Sequence, residues 1–156
     1  MRVLFMCTAN SCRSILSEAM FNHLASAGFT AVSAGSFPKG QVLPRSLSTL
    51  ERAGISTDGL HSKGNDAFED NPPDIVITVC DKAAGETCPV YFGPALKSHW
   101  GLEDPSEVSD DEAQIDAAFR ATLARIEQRC KAFLELPFNR LSRDQLKHEL
   151  DRIGTL

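Results

Sequence analysis

The chain has 156 residues, 42% hydrophobic and 24% charged, enough to bury one ordinary globular core without staples. Its formal net charge of -5 offers no basic footprint for nucleic acid or an acidic membrane, so an anionic ligand must be held by local groups. No apolar run reaches the ~18 residues of a membrane span, and the opening apolar stretch lacks the length and cleavage pattern of a signal peptide. The chain is therefore expected to be cytoplasmic and to form a single domain over residues 1–156.

The predicted elements alternate. Val3 to Met6 reads as a short buried strand, followed by a helix from Ser14 to Ala27, whose apolar positions Ile15, Ala19, Met20 and Leu24 recur at helical spacing before Gly28. Phe29 to Ala34 reads as a second strand ended by Gly35. Leu43 to Ala53 is a helix with Pro44 in its first turn and Gly54 just past its end. Ile75 to Val79 is the cleanest strand, introduced by Pro72-Pro73-Asp74 and ending on Cys80, and a short extended segment follows near Ser98 to Trp100. Ser109 and Glu112 suggest a capping box for a long helix carrying Ile115, Phe119, Leu123, Ile126, Cys130 and Phe133. Ser142 and Gln145 suggest another for a terminal helix carrying Leu146, Leu150 and Ile153. Strands alternating with helices imply an α/β fold with a parallel sheet and helices on both faces. Residues 1–135 make the core, and 136–156 are a helical extension expected to pack back on it.

In such sheets ligands bind beyond the carboxyl ends of the strands. Cys7 and Cys80 both fall at such ends, so two cysteines distant in sequence are expected to share one site. The odd total of five cysteines, at 7, 12, 80, 88 and 130, suits catalytic, redox-active or simply buried thiols better than structural bridges. Cys130, on the apolar stripe of the long helix, reads as core. Cys12 reads as packing, because a bridge to Cys7 would distort the loop between them. Neither Cys80 nor Cys88 belongs to a C-x-x-C pair, which argues against zinc, and neither metal nor cofactor is expected.

Cys7 opens the pattern C-x5-R-S, closed by Arg13 and Ser14, between a strand and a helix. Thr8, Ala9, Asn10, Ser11 and Cys12 are small enough to wrap their N–H groups around a tetrahedral oxyanion at the helix N-terminus. Arg13 adds a planar fork for two oxyanion oxygens, and the Ser14 hydroxyl can donate to the Cys7 sulfur. In that positive bowl the Cys7 thiol is expected to ionise more readily than an ordinary cysteine. Attack on the anion needs a proton for the departing oxygen. Asp104, in the sequence WGLEDPSE, is the first candidate and Glu103 the second; Pro105 should hold Asp104 in an extended conformation.

C-x5-R-S near the start, Ser33-Ala34-Gly35 and the late Asp104-Pro105 together resemble the low-molecular-weight protein tyrosine phosphatase family. The resemblance implies a four-stranded parallel sheet in three layers, with Cys7 as nucleophile, Arg13 as oxyanion clamp and Asp104 as general acid. Within that fold the thioredoxin-coupled arsenate reductases look closer. They share Asn10-Ser11-Cys12-Arg13-Ser14, two further cysteines matched by Cys80 and Cys88, and His99-Trp100-Gly101 before the Asp-Pro. Tyrosine phosphatases of this fold carry tyrosines directly after Asp-Pro, whereas Ser106 and Glu107 stand here and the only tyrosine is Tyr91.

This resemblance implies arsenate as substrate, a Cys7 thiol–arsenate adduct, and a disulfide relay from Cys7 to Cys80 to Cys88. The relay would end on thioredoxin, or on glutaredoxin with glutathione, as reductant. The alternative is a phosphatase acting through a Cys7 phosphocysteine. Two departures from the reductase pattern stand out. Seven residues separate Cys80 from Cys88 where six are expected. Lys63 replaces an Asp in a set (Asn10, Glu18, Ser33) that in some relatives holds potassium, so independence of potassium is expected.

Overall fold

The computed structural model describes residues 1–80 and 93–156. Four strands form one parallel sheet in the order β2-β1-β3-β4: β1 is Arg2–Cys7, β2 Thr30–Gly35, β3 Ile75–Thr78 and β4 Leu96–His99. This is the expected four-stranded parallel sheet. The alternating side chains of β1 point to opposite faces, yet Val3, Leu4, Phe5 and Met6 are all essentially inaccessible, as are Ile75, Val76 and Ile77 of β3. Both faces of the two central strands are covered, which explains their unbroken apolar runs.

Four α-helices complete the described residues: α1 (Arg13–Leu24), α2 (Pro44–Arg52), α3 (Glu112–Leu134) and α4 (Arg143–Ile153). No helix among them is long and apolar enough to cross a membrane. Helix α1 stops three residues before its apolar periodicity does. Ala25 is already extended (φ -70°, ψ 143°), and Gly28 at φ +96° supplies the left-handed step that returns the chain to the sheet, where Thr30 N donates to Met1 O. The need to enter β2 in register overrides the last helical positions. The start of α3 also differs from expectation. Its cap is Asp111, whose carboxylate accepts from Ala113 N and Gln114 N, whereas Ser109 Oγ accepts from Asp111 N and so holds the capping residue itself. A charged oxygen at a helix N-terminus outcompetes a hydroxyl there.

The main core is aromatic. Phe133 on α3 lies 5.4 Å from Phe21 of α1, 6.2 Å from Trp100 and 5.1 Å from Phe138 (ring centroids), and Phe21 meets Phe5 of β1 edge-on at 6.0 Å. The edge-on and tilted arrangements are those that aromatic quadrupoles favour.

The extension joins the same core, as expected. Leu150 and Ile153 are wholly buried, and Ser142 and Gln145 form the expected capping box at the start of α4. Gly154, just past the end of α4, is required by contact and not by backbone conformation. Its φ is -61°, but an added Cβ would collide with His99 O and lie 2.9 Å from Trp100 Cδ1.

Phe133→Ala removes the ring at the centre of this cluster and is expected to cost about 3–5 kcal/mol. The measurement is urea unfolding, where the midpoint should fall with an unchanged m-value.

Candidate active site

The register of the sheet brings the site together. Cys7 pairs with Gly35 at the end of β1, and Met6 pairs with Thr78, so the chain beyond β3 carries Cys80 to the same sheet edge. Val79 N donates to Met6 O at 3.0 Å, which fixes that approach. Cys80 Sγ stands 3.7 Å from the hydroxyl of Thr8, the residue after Cys7, and Cys80 is the strongest influence on the Cys7 thiol. The expected meeting of Cys7 and Cys80 is thus observed. Cys88 and the 81–87 segment before it lie outside the described residues, as does Tyr91.

The loop after Cys7 turns its carbonyls outward. Cys7 O, Thr8 O, Ala9 O and Ser11 O accept from Ser36 N, Phe37 N, Lys39 N and Leu43 N respectively, at 2.9–3.3 Å. Ser62 Oγ and Ser46 Oγ add donors to Ala9 O and Ser11 O. In a trans peptide the N–H of the next residue points opposite to the carbonyl, and no peptide here is cis. The N–H groups of Thr8, Ala9, Asn10 and Cys12 therefore turn away from those carbonyl partners, an arrangement able to serve as an anion nest. Helix α1 opens behind it with Cys12 in the capping position and no side chain bonded to its first amides. Gly35 permits the close approach of β2, since a Cβ there would collide with Thr8 O and stand 3.0 Å from Asn10 N.

Asn10 holds the loop's shape. It is the only non-glycine residue with positive φ (48°) among the described residues, and it is fully buried. Its Nδ2 donates to Ser14 Oγ at 2.8 Å and Ser33 Oγ at 3.0 Å, while its Oδ1 accepts from Lys63 N at 2.9 Å. Ser33 Oγ in turn donates to Glu18 Oε1 at 2.6 Å. Lys63 Nζ completes the cluster, 3.6 Å from Glu18 Oε1 and within hydrogen-bond reach of Ser33 Oγ and His61 O. Burial pulls the Lys63 pKa below its ordinary value, against the opposing attraction of Glu18.

Arg13 reaches across to the acid loop. Its Nη1 donates to Leu102 O at 3.0 Å, and its Nη2 stands 3.7 Å from Asp104 Oδ2. Its Nε is buried with no partner among the described residues. A buried guanidinium N–H without an acceptor is costly, and an oxyanion in the nest would satisfy it. Asp104 is extended as expected (φ -72°, ψ 109°), and its Oδ1 accepts from Ser106 N and Ser106 Oγ at 3.0 and 2.7 Å. Oδ2 is the oxygen left toward Arg13. Glu103, the second candidate, is exposed.

One expectation is overturned. The Cys7 thiol is pushed well above its ordinary pKa, first by the hydrogen bond its S–H makes to Cys80 and then by burial. Arg13 and the Thr8 N–H act the other way but do not prevail. Cys80, distant in sequence, is what the local motif left out. Two thiols in contact share a first ionisation, and the second is opposed by the first. Cys12 and Cys130 are each pushed up to about 12 chiefly by burial, consistent with packing roles. Among the described residues no cluster of three His, Cys, Asp or Glu side chains could hold a metal ion.

Comparison with known proteins agrees with this geometry. The family model described as low molecular weight phosphotyrosine protein phosphatase matches residues 2–149, and the chain belongs to that family. Within it, an arsenate reductase of Bacillus subtilis is 30% identical over 133 residues, covering 85% of this chain and 94% of that protein. An arsenate reductase structure in the phosphate-binding state superposes with a TM-score of 0.70 at 27% identity, over 85% of this chain and 95% of the other. A thioredoxin-dependent arsenate reductase of Corynebacterium glutamicum gives 0.61 at 28% identity, over 83% of this chain and 60% of that one. The resemblance to the arsenate reductases of this fold therefore extends well beyond the loop.

Replacing Cys80 by Ala removes the largest influence raising the Cys7 pKa. The apparent pKa of Cys7 alkylation should fall in Cys80→Ala relative to the native protein, measured as rate against pH with peptide-level assignment of the modified thiol.

Proposed function

We propose that this protein is an arsenate reductase acting in the cytoplasm as one functional unit over residues 1–156. The observation that carries the reading is the convergence of Cys7 and Cys80 at one sheet edge, with Cys80 Sγ 3.7 Å from the Thr8 hydroxyl at the start of the loop. A phosphatase needs the nest, Arg13 and Asp104, but it has no use for a second thiol against its nucleophile. The arsenate reductases among its relatives support the same choice.

In this mechanism the nest N–H groups from Thr8 to Ser14 and the Arg13 fork hold arsenate. The Cys7 thiolate attacks arsenic, an As–O bond breaks, and Asp104 protonates the oxygen, which leaves as water. The Cys80 thiolate then attacks the Cys7 sulfur. An S–S bond forms, the S–As bond breaks with its electron pair passing to arsenic, and arsenite departs. Cys88 attacks Cys80, freeing Cys7, and an external dithiol reduces the Cys80–Cys88 disulfide. The thioredoxin dependence of one structural relative favours thioredoxin as that dithiol. The Lys63 ammonium, held by Glu18 and Ser33, fills the cation's place beside the nest.

The deciding measurement is thioredoxin-coupled arsenite formation. Cys7→Ser, Cys80→Ser and Cys88→Ser should each abolish turnover, and Asp104→Asn should lower kcat by about 100- to 10,000-fold. Full activity in Cys88→Ser would remove the relay as written. Phosphate release from an aryl phosphate without arsenite formation would instead favour a phosphatase.

Activity should be the same in potassium and sodium salts at equal ionic strength. Stimulation by potassium would show that Lys63 does not serve as the internal cation.

A further inference from the structure

The acid loop leaves the sheet through Ser98–Gly101, and the C-terminal segment grips that stretch at every step. Ser98 Oγ donates to Asp151 Oδ1 at 2.8 Å. Trp100 Nε1 donates to Leu150 O at 2.9 Å, and Gly154 packs against His99 O and Trp100. Arg129 joins the two sides. It lies in the C-terminal half of α3 and is only 4% exposed. Its Nη1 donates to Gly101 O at 3.1 Å, and its Nη2 donates to Gly154 O and Leu156 O at 3.1 and 3.2 Å. The next carbonyl along the chain, Leu102 O, is the one held by Arg13. Two consecutive carbonyls, two and three residues before Asp104, are thus gripped by two different guanidiniums.

A buried arginine with three carbonyl partners is a poor choice for stability alone. A guanidinium taken out of water costs several kcal/mol, and apolar residues of similar volume often do as well. What it does supply is a rigid planar bridge between two backbones. We propose that Arg129 is a positioning residue for the acid: by tying the C-terminal segment to Gly101 it fixes where the loop presents Asp104. The inference rests on Asp104 being the proton donor, as in the proposed function. The C-terminal segment is then a working part of the active site, although none of its residues reaches the nest.

The test perturbs the bridge from both ends, using Arg129→Met, Arg129→Lys and Gly154→Ala in the full chain. Misplacing a reacting group by about 1 Å costs on the order of 100-fold, so Arg129→Met should lower kcat for arsenate by about 10- to 100-fold and change KM little. Arg129→Lys can hold one side but not span both and should fall between. Gly154→Ala, which displaces the segment from His99, should act in the same direction. On an Asp104→Asn background all three effects on kcat should largely vanish, because the residue they position is gone. Full additivity with Asp104→Asn overturns the proposal. Amide hydrogen exchange provides a readout independent of turnover. In Arg129→Met and in Gly154→Ala, the Leu102 and Ser106 amides should exchange about tenfold faster or more, while those of Phe5 and Met6 stay unchanged. Unchanged exchange at Ser106, or uniform acceleration that includes β1, overturns it as well. A native protein that makes no arsenite would sink the functional reading, and the exchange data would still decide whether Arg129 holds the loop.

Discussion

The buried amide of Asn10 is the constraint on which the site depends. A non-glycine residue at φ 48° carries a backbone cost, and that cost has to be offset locally. Here all three polar contacts of the side chain are internal: two hydroxyls receive its Nδ2 protons, and the Lys63 amide donates to its Oδ1. Those contacts tie the loop to α1 through Ser14, to β2 through Ser33, and to the segment crossing at Lys63. With the left-handed step held there, the carbonyls of Cys7, Thr8, Ala9 and Ser11 can face outward. An empty nest of converging N–H groups is electrostatically unfavourable, so its shape must be imposed from outside. Asn10 and the ring of donors from Ser36 to Leu43 impose it.

The same framework sets the balance between the two thiols. Burial and the interaction with Cys80 both favour the neutral form of Cys7. This differs from a nucleophile activated by a bowl of positive charge alone. In the proposed relay the difference is useful. The first step needs a thiolate on Cys7 and the second needs one on Cys80, and two interacting thiols do not ionise independently. The sheet register provides this: Met6 and Thr78 are paired, so the chain ends of β1 and β3 emerge side by side.

Much of this was legible in the sequence, because strand, loop and helix are adjacent along the chain there. C-x5-R-S between an apolar run and a helical period specifies its own geometry, and Asp-Pro announces a stiff turn carrying a carboxylate. The parts that were not legible depend on contacts across the chain. The end of α1 was misplaced because entry into β2, not the helix's own periodicity, decides it. The cap of α3 was placed at Ser109 because the pattern S-x-x-E fitted, and the nearer charged Asp111 won. The rise in the Cys7 pKa could not be seen from the loop, since its largest cause stands 73 residues away, at Cys80. The role of Arg129 is not visible in the sequence. An arginine within a helical stripe reads as a solvated charge until the carbonyls it faces are known.

The half-buried Arg13 and the buried Arg129 show how the fold handles charge in a protein of net charge -5. Among the described residues neither Arg13 nor Arg129 has a close Asp or Glu carboxylate: Asp104 stands at 3.7 Å from Arg13, too far for a good ion pair, and Arg129 donates to the main-chain oxygens of Gly101, Gly154 and Leu156. Carbonyl dipoles stabilise a guanidinium without cancelling its charge. At Arg129 that leaves a rigid strut. At Arg13 it leaves a net positive charge and an unpartnered Nε beside the nest. A tight Arg13–Asp104 pair would have spent both groups on each other, keeping the clamp from the anion and the acid from its proton. Bonding Arg13 to Leu102 O and Asp104 Oδ1 to Ser106 fixes both side chains while leaving one face of each for chemistry.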